Sequence, residues 1–183
     1  MASRSVCLAI NIVGVNIGWF ACVLAASHDL HVLAPTVVAG LFAVHVALHR
    51  PAKCEALLAG TAAVVGFGFD SVLMAAGVYE ARRWLLPAPL ATVWLVSLWI
   101  NFALVLNVAL RALQGRWILA AAIGAIGGPV AYLSAERLGA VTLASPWWYG
   151  LLPLALAWGL VVPALLRLAR YLADRKVHAK ERI

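Results

Sequence analysis

Charge is what this chain has least of. Only 11% of its 183 residues are Asp, Glu, Lys or Arg, against about a quarter in an ordinary soluble domain. That is too little to clothe a water-exposed globule. Cysteine is scarce as well. Cys7, Cys22 and Cys54 form no close pair, so neither a disulfide framework nor a zinc spacing is present, and they read as small packing residues. No lysine falls inside an apolar run, which excludes a retinal-type Schiff base, and no run carries the repeated Arg of a voltage sensor. P-loop, HExxH, GxSxG and dinucleotide fingerprints are all missing. No cofactor and no metal is implied.

What the chain has is apolar length. Hydrophobic residues make up 65% of it, and its mean hydropathy is +0.97. They come in runs of about twenty, the length that crosses a hydrocarbon core of about 30 Å. Six spans are predicted: Val6–Ala26, His31–His49, Leu57–Val78, Pro89–Leu110, Trp117–Leu138 and Trp147–Leu168. The first is too long for a signal-peptide core and has no convincing cleavage site, so it is expected to remain as a helix. The connections are short, which makes successive helices antiparallel neighbours. The expected fold is all-α: one six-transmembrane-helix bundle over residues 1–183, ending in a basic tail at 169–183.

Lys and Arg set the orientation. One side collects Arg4, Arg50, Lys53, Arg111, Arg116, Arg167, Arg170, Arg175, Lys176, Lys180 and Arg182; the other has Arg82, Arg83 and Arg137. This places both termini in the cytoplasm. The formal charge of +7 is therefore a topology signal and not a nucleic-acid footprint. Trp84, Trp147, Trp148 and Tyr149 mark the outer interface and Trp117 the inner one.

Asp70 stands out against this background, because it is the one acid deep in a span. A charged side chain at that depth costs about 2.5 kcal/mol or more on insertion scales, so it usually has a partner or a task. Asn16, Asn101 and the Gly127-Gly128-Pro129 break fall near the same layer of their own spans. Trp94, Ser97 and Asn101 share one helical stripe, as do Gly66, Asp70, Met74 and Gly77. A hydrogen bond from the Asn101 amide to Asp70 is expected. Gly14 with Gly18, and Gly124 with Gly128, make small-residue faces that let helices approach closely. Pro129 should kink the fifth helix, and Tyr132 lies one turn beyond Gly128. Glu136 could line the same outward face. His45 and His49 have a metal- or haem-compatible spacing, but the rest of a ligand set is missing, so packing is the plainer reading. His28, Asp29 and His31 form at most a weak surface site.

Gly18-Trp19, Phe69-Asp70-Ser71, Trp94 with Trp99 and Asn101, Gly127-Gly128-Pro129 with Tyr132, and Trp158-Gly159 with Pro163 occur in an order that resembles an uncharacterised family of small bacterial inner-membrane proteins, a domain of unknown function. The resemblance implies a multi-pass protein of the bacterial inner (cytoplasmic) membrane and supplies no catalytic residues. The residues themselves suggest a mid-membrane polar pocket for a lipid-derived or other hydrophobic small molecule. In it Asp70 is the catalytic or anchoring carboxyl, and Asn16, Trp94, Asn101, Gly128 and Tyr132 bind the ligand. Membrane lipids are expected partners, with a second copy or another membrane protein also open. Two rival readings are a substrate-binding subunit of a transporter, by analogy with vitamin transporters of the energy-coupling-factor type, and a scaffold without a ligand.

Overall fold

A computed structural model describes residues 4–48, 52–83 and 85–180, with side chains only for residues 5–48, 52–83 and 85–174. His49, Arg50, Trp84 and Arg182, all used above to read the topology or the helix faces, lie outside the described residues, as do the side chains of Arg4, Arg175, Lys176 and Lys180. The elements run α1 (Arg4–Ser27), α2 (Leu33–Leu48), α3 (Ala52–Ala75), β1 (Tyr79–Ala81), α4 (Val93–Leu106), a single 3-10 turn (Arg111–Leu113), α5 (Trp117–Arg137), β2 (Val141–Leu143) and α6 (Trp147–Lys180).

Among the described residues the fold is all-α in its bulk, with six helices. Four contain segments long and apolar enough to cross a membrane: Ser5–Ser27, Ala52–Ala75, Trp117–Arg137 and Trp147–Asp174. The helices Leu33–Leu48 and Val93–Leu106 are shorter. At 1.5 Å per residue, the 14 residues of α4 reach only about 21 Å. The predicted span Pro89–Leu110 is thus trimmed at both ends. Pro87 and Pro89 have no N–H to give, and Ala91 N donates instead to Ser71 Oγ at 2.9 Å. Apolar side chains cover much of the outside: Ile118 is 88%, Leu160 75% and Val64 74% exposed. Such a surface suits acyl chains and would be costly in water.

The short sheet was not expected from the sequence. α3 and α5 stop in the same way. Gly77 and Gly139 take φ of +70° and +79°, Val78 N reaches back to Leu73 O, and Ala140 N to Ala135 O, both at 3.0 Å. These glycine-capped endings each turn the chain into a three-residue strand. β1 and β2 pair antiparallel, with Glu80 opposite Thr142. The connections after α3 and after α5 are thereby fastened together at one end of the bundle.

α4 is central and packs on α1, α2 and α3, while α6 packs on α5 and α3. The buried core has two parts, one around Cys22, Met74, Tyr79 and Trp94, the other around Leu58, Leu106 and Leu166; Phe69, Ile100 and Trp158 pack against both. α5 and α6 touch through glycine. A Cβ at Gly124 would run into the Trp158 carbonyl, and one at Gly128 into the Trp158 ring.

Candidate functional site

The middle of α3 is opened by glycine. A Cβ at Gly66 would strike the Trp99 ring, so its absence lets that indole lie on the α3 backbone one turn before Asp70. From there Trp99 Nε1 donates to Asp70 Oδ2 at 2.8 Å. The other carboxyl oxygen receives two phenols. Tyr79, delivered by β1, donates to Oδ1 at 2.7 Å, and Tyr132, from α5, donates to it at 2.5 Å. Asp70 itself has no exposed surface. Indole N–H can only donate, and two hydroxyls converge on one oxygen, so the arrangement suits a carboxylate that accepts from all three groups.

The surrounding rings fix this geometry. Tyr79 and Tyr132 meet edge to face at 4.9 Å. Trp99 stacks on Trp158 at 4.9 Å with an interplanar angle of 8°. Burial pushes the Tyr79 phenol well above its ordinary range, and the neighbouring Tyr132 and Asp70 add to this, so its proton stays in place as a donor.

A cavity of about 390 Å³ lies beside the carboxyl. Trp94, Trp99 and Phe102 from α4 make its floor, Ile12, Val15 and Trp19 from α1 one wall, and Gly127, Gly128, Ala131 and Tyr132 from α5 the other. Ile12, Ile123 and Gly127 lie on this lining and are also exposed. The cavity therefore opens sideways, between α1 and α5, onto the apolar outer surface. Its size is that of a small-molecule pocket.

Of the residues singled out in the sequence, Asp70, Trp94, Gly128 and Tyr132 line this one cavity. Asn16 and Asn101 are not in its lining. Asn16 is exposed and bonds its own helix, Nδ2 to Ile12 O at 2.8 Å. Asn101 does not reach Asp70; its amide donates to Val15 O of α1 at 2.8 Å, beneath Gly18, which has no side chain to block it. The reason is rotational: Trp99 occupies the α4 face toward α3, and two residues on the helix has turned away. Trp94 Nε1 is held by Arg82 O at 3.0 Å. Glu136 accepts from Leu143 N at 2.8 Å and steadies β2.

Two partners of Asp70 were not picked out as site residues. Trp99 had a signal, since Gly66 one turn before an acid invites a ring. Tyr79 had none, because the turn at Gly77 and the strand after it decide where it points. A second buried polar network was also unforeseen. His45 Nε2 meets Glu55 Oε2 at 3.3 Å, and Asn107 Nδ2 donates to Glu55 Oε1 at 3.1 Å. Gln114 Nε2 donates to Asn107 Oδ1 at 3.2 Å. It clamps α2, α3 and the turn after α4 together. Among the described residues no three His, Cys, Asp or Glu side chains gather as a metal site.

No curated protein and no solved structure matches this chain. A family model does, over residues 8–164, and its description is "Protein of unknown function (DUF2878)". The match takes in every cavity-lining residue from Ile12 to Val162, and the chain belongs to that family.

Proposed function

We propose that this protein crosses the bacterial inner membrane six times, with both termini in the cytoplasm, and binds a hydrophobic small molecule taken sideways from the lipid. The observation that carries the ligand reading is the cleft: a lipid-facing opening between α1 and α5 leads to a buried, triply hydrogen-bonded carboxyl. A carboxyl kept only to join helices would be an expensive choice, since interhelical polar contacts in membranes yield about 0.6 kcal/mol on average. Six crossings are supported by the β1–β2 pairing, which puts the α3–α4 and α5–α6 connections at one end. They also agree with the Lys and Arg asymmetry. Asp70 anchors the site by holding Tyr132, and Trp94 and Gly128 shape its walls.

The test fills the cleft. A Cβ at Gly127 meets nothing within 4 Å, so Gly127→Phe adds a ring to the opening without touching the α5–α6 contact. Native mass spectrometry with lipid extraction should find a hydrophobic molecule retained by the wild type and lost from Gly127→Phe at unchanged thermal stability. Equal retention by both, or none by either, would remove the ligand reading and leave a scaffold.

A further inference from the structure

The two ends of the cleft differ. On α1 its lining passes from exposed Ile12 through half-buried Val15 and Trp19 to buried Val23. On α5 it passes from exposed Ile123 and Gly127 to buried Tyr132 and Ala135. Trp94 and Val141, at that same far end, are buried too, and Val141 is paired into the short sheet. The cleft is therefore blind toward the strands and open toward the turn after α4, where Ala109 and Leu110 are half-buried. From Trp94 to Leu106 α4 rises about 18 Å. That is close to the depth of one leaflet, half of a hydrocarbon core of about 30 Å, so the cleft is as long as one acyl chain.

The deep part of the cleft does not suit a head group. No Lys, Arg or His lies among the described residues that line it. The Trp94 N–H is taken by Arg82 O and the Trp99 N–H by Asp70, which is itself wholly buried. The open end is different. Arg111 follows Leu110 in the chain, and Arg116 ends the same turn, which is kept compact by Gln114 N to Arg111 O at 3.1 Å and Arg116 N to Leu113 O at 2.9 Å. Both arginines are exposed, and among the described residues neither has an ion pair or a side-chain hydrogen bond. Arg170, by contrast, has Asp174 at 3.7 Å. Guanidinium forks match the oxygens of phosphate and carboxylate. Seven residues of α4, about 10 Å, separate Trp99, which holds Asp70, from Leu106 before the turn, so an anion at the turn stays clear of the buried carboxyl. Resting on the ligand reading above, we infer that the cleft takes an acyl chain of an anionic lipid from the cytoplasmic leaflet. The head group, a phosphate or carboxylate, sits at Arg111 and Arg116, on the side that the Lys and Arg asymmetry gives to the cytoplasm. The chain enters between Ile12 and Ile123, and its tip points to the blind end at Trp94 and Val141.

The experiment uses the full chain in zwitterionic nanodiscs and two photoreactive probes of one chain length, hexadecyl phosphate and hexadecanol, each with a diazirine at the chain tip. The phosphate probe should label at about tenfold lower concentration, the lower end of what hydrogen bonds to charged groups contribute. Peptide mapping should find its tip on Trp94, Ala135 or Val141. Arg111→Gln with Arg116→Gln should remove the tenfold advantage and leave labelling by the hydroxyl probe unchanged, which also shows the cleft intact. Arg137→Gln, at the other end of α5, should alter neither probe. Equal labelling by the two probes in the wild type would overturn the inference. So would an advantage that survives the double variant, or a tip found at Ile12 or Leu110. If the probes label equally and Gly127→Phe abolishes both signals, this inference fails and the ligand reading stands. If wild type and Gly127→Phe are labelled alike, both fail.

Discussion

Tyr132→Phe is the perturbation that tests whether Asp70 and its donors act as one unit. The substitution removes a hydroxyl and keeps the ring, so the edge-to-face contact with Tyr79 at 4.9 Å is retained. What is lost is one hydrogen bond, of 2.5 Å, to the buried carboxyl. Hydrogen bonds to charged groups contribute about 1.5–3 kcal/mol and neutral ones about 0.5–1.5. Asp70→Asn alone is a poor test. It replaces one accepting oxygen by an NH2 group that cannot accept from the Trp99 N–H and weakens the two phenol bonds by about 1 kcal/mol each, but it also relieves about 2.5 kcal/mol of the cost of holding a charge at that depth, so its net change mixes opposing effects. The double-mutant cycle separates these terms. Tyr132→Phe should destabilise the wild type by about 1.5–3 kcal/mol. In the Asp70→Asn background it should cost about 1 kcal/mol less. Reversible unfolding in detergent or bicelles measures all four corners. A coupling below about 0.5 kcal/mol, the ordinary scatter of additivity, would refute the carboxylate-with-three-donors account.

Two further outcomes follow from the same geometry. Gly124→Ala sets a methyl against the Trp158 carbonyl and should cost about 1–3 kcal/mol by overpacking, whereas Gly127→Ala, with open space around it, should be neutral or stabilising by up to about 1 kcal/mol; equal thermal shifts would sink the packing role given to Gly124. In a chain whose own cysteines are replaced by alanine, Arg83→Cys and Asp174→Cys should react with a membrane-impermeant thiol reagent from opposite sides, Arg83→Cys from outside. Labelling of both from one side would contradict the proposed topology.

Much of the architecture was legible because membrane spans announce themselves by length. The long apolar helices and the prominence of Asp70 all follow from local composition. Element ends were less legible. The α3 boundary is set by Gly77 in a left-handed turn, and the start of α4 by prolines and a bond to Ser71; neither alters hydropathy. The strands were invisible because three residues apiece carry no periodicity, and their pairing joins segments about sixty positions apart.

The candidate site divides along the same line. Sequence alone established that one carboxyl lies deep in an apolar chain, and that glycine, tryptophan and tyrosine occur at similar depths. It could not establish which of them face it. A helix turns 100° per residue, so an error of one or two positions in judging a face exchanges one neighbour for another. That is how Asn101 was chosen where Trp99 is the partner. Only the tertiary structure decided that Gly66 admits the Trp99 ring, that β1 carries Tyr79 back over Asp70, and that α1 and α5 stand apart over α4. Those facts depend on how whole helices rotate and dock, and docking is settled by packing between segments far apart in the chain.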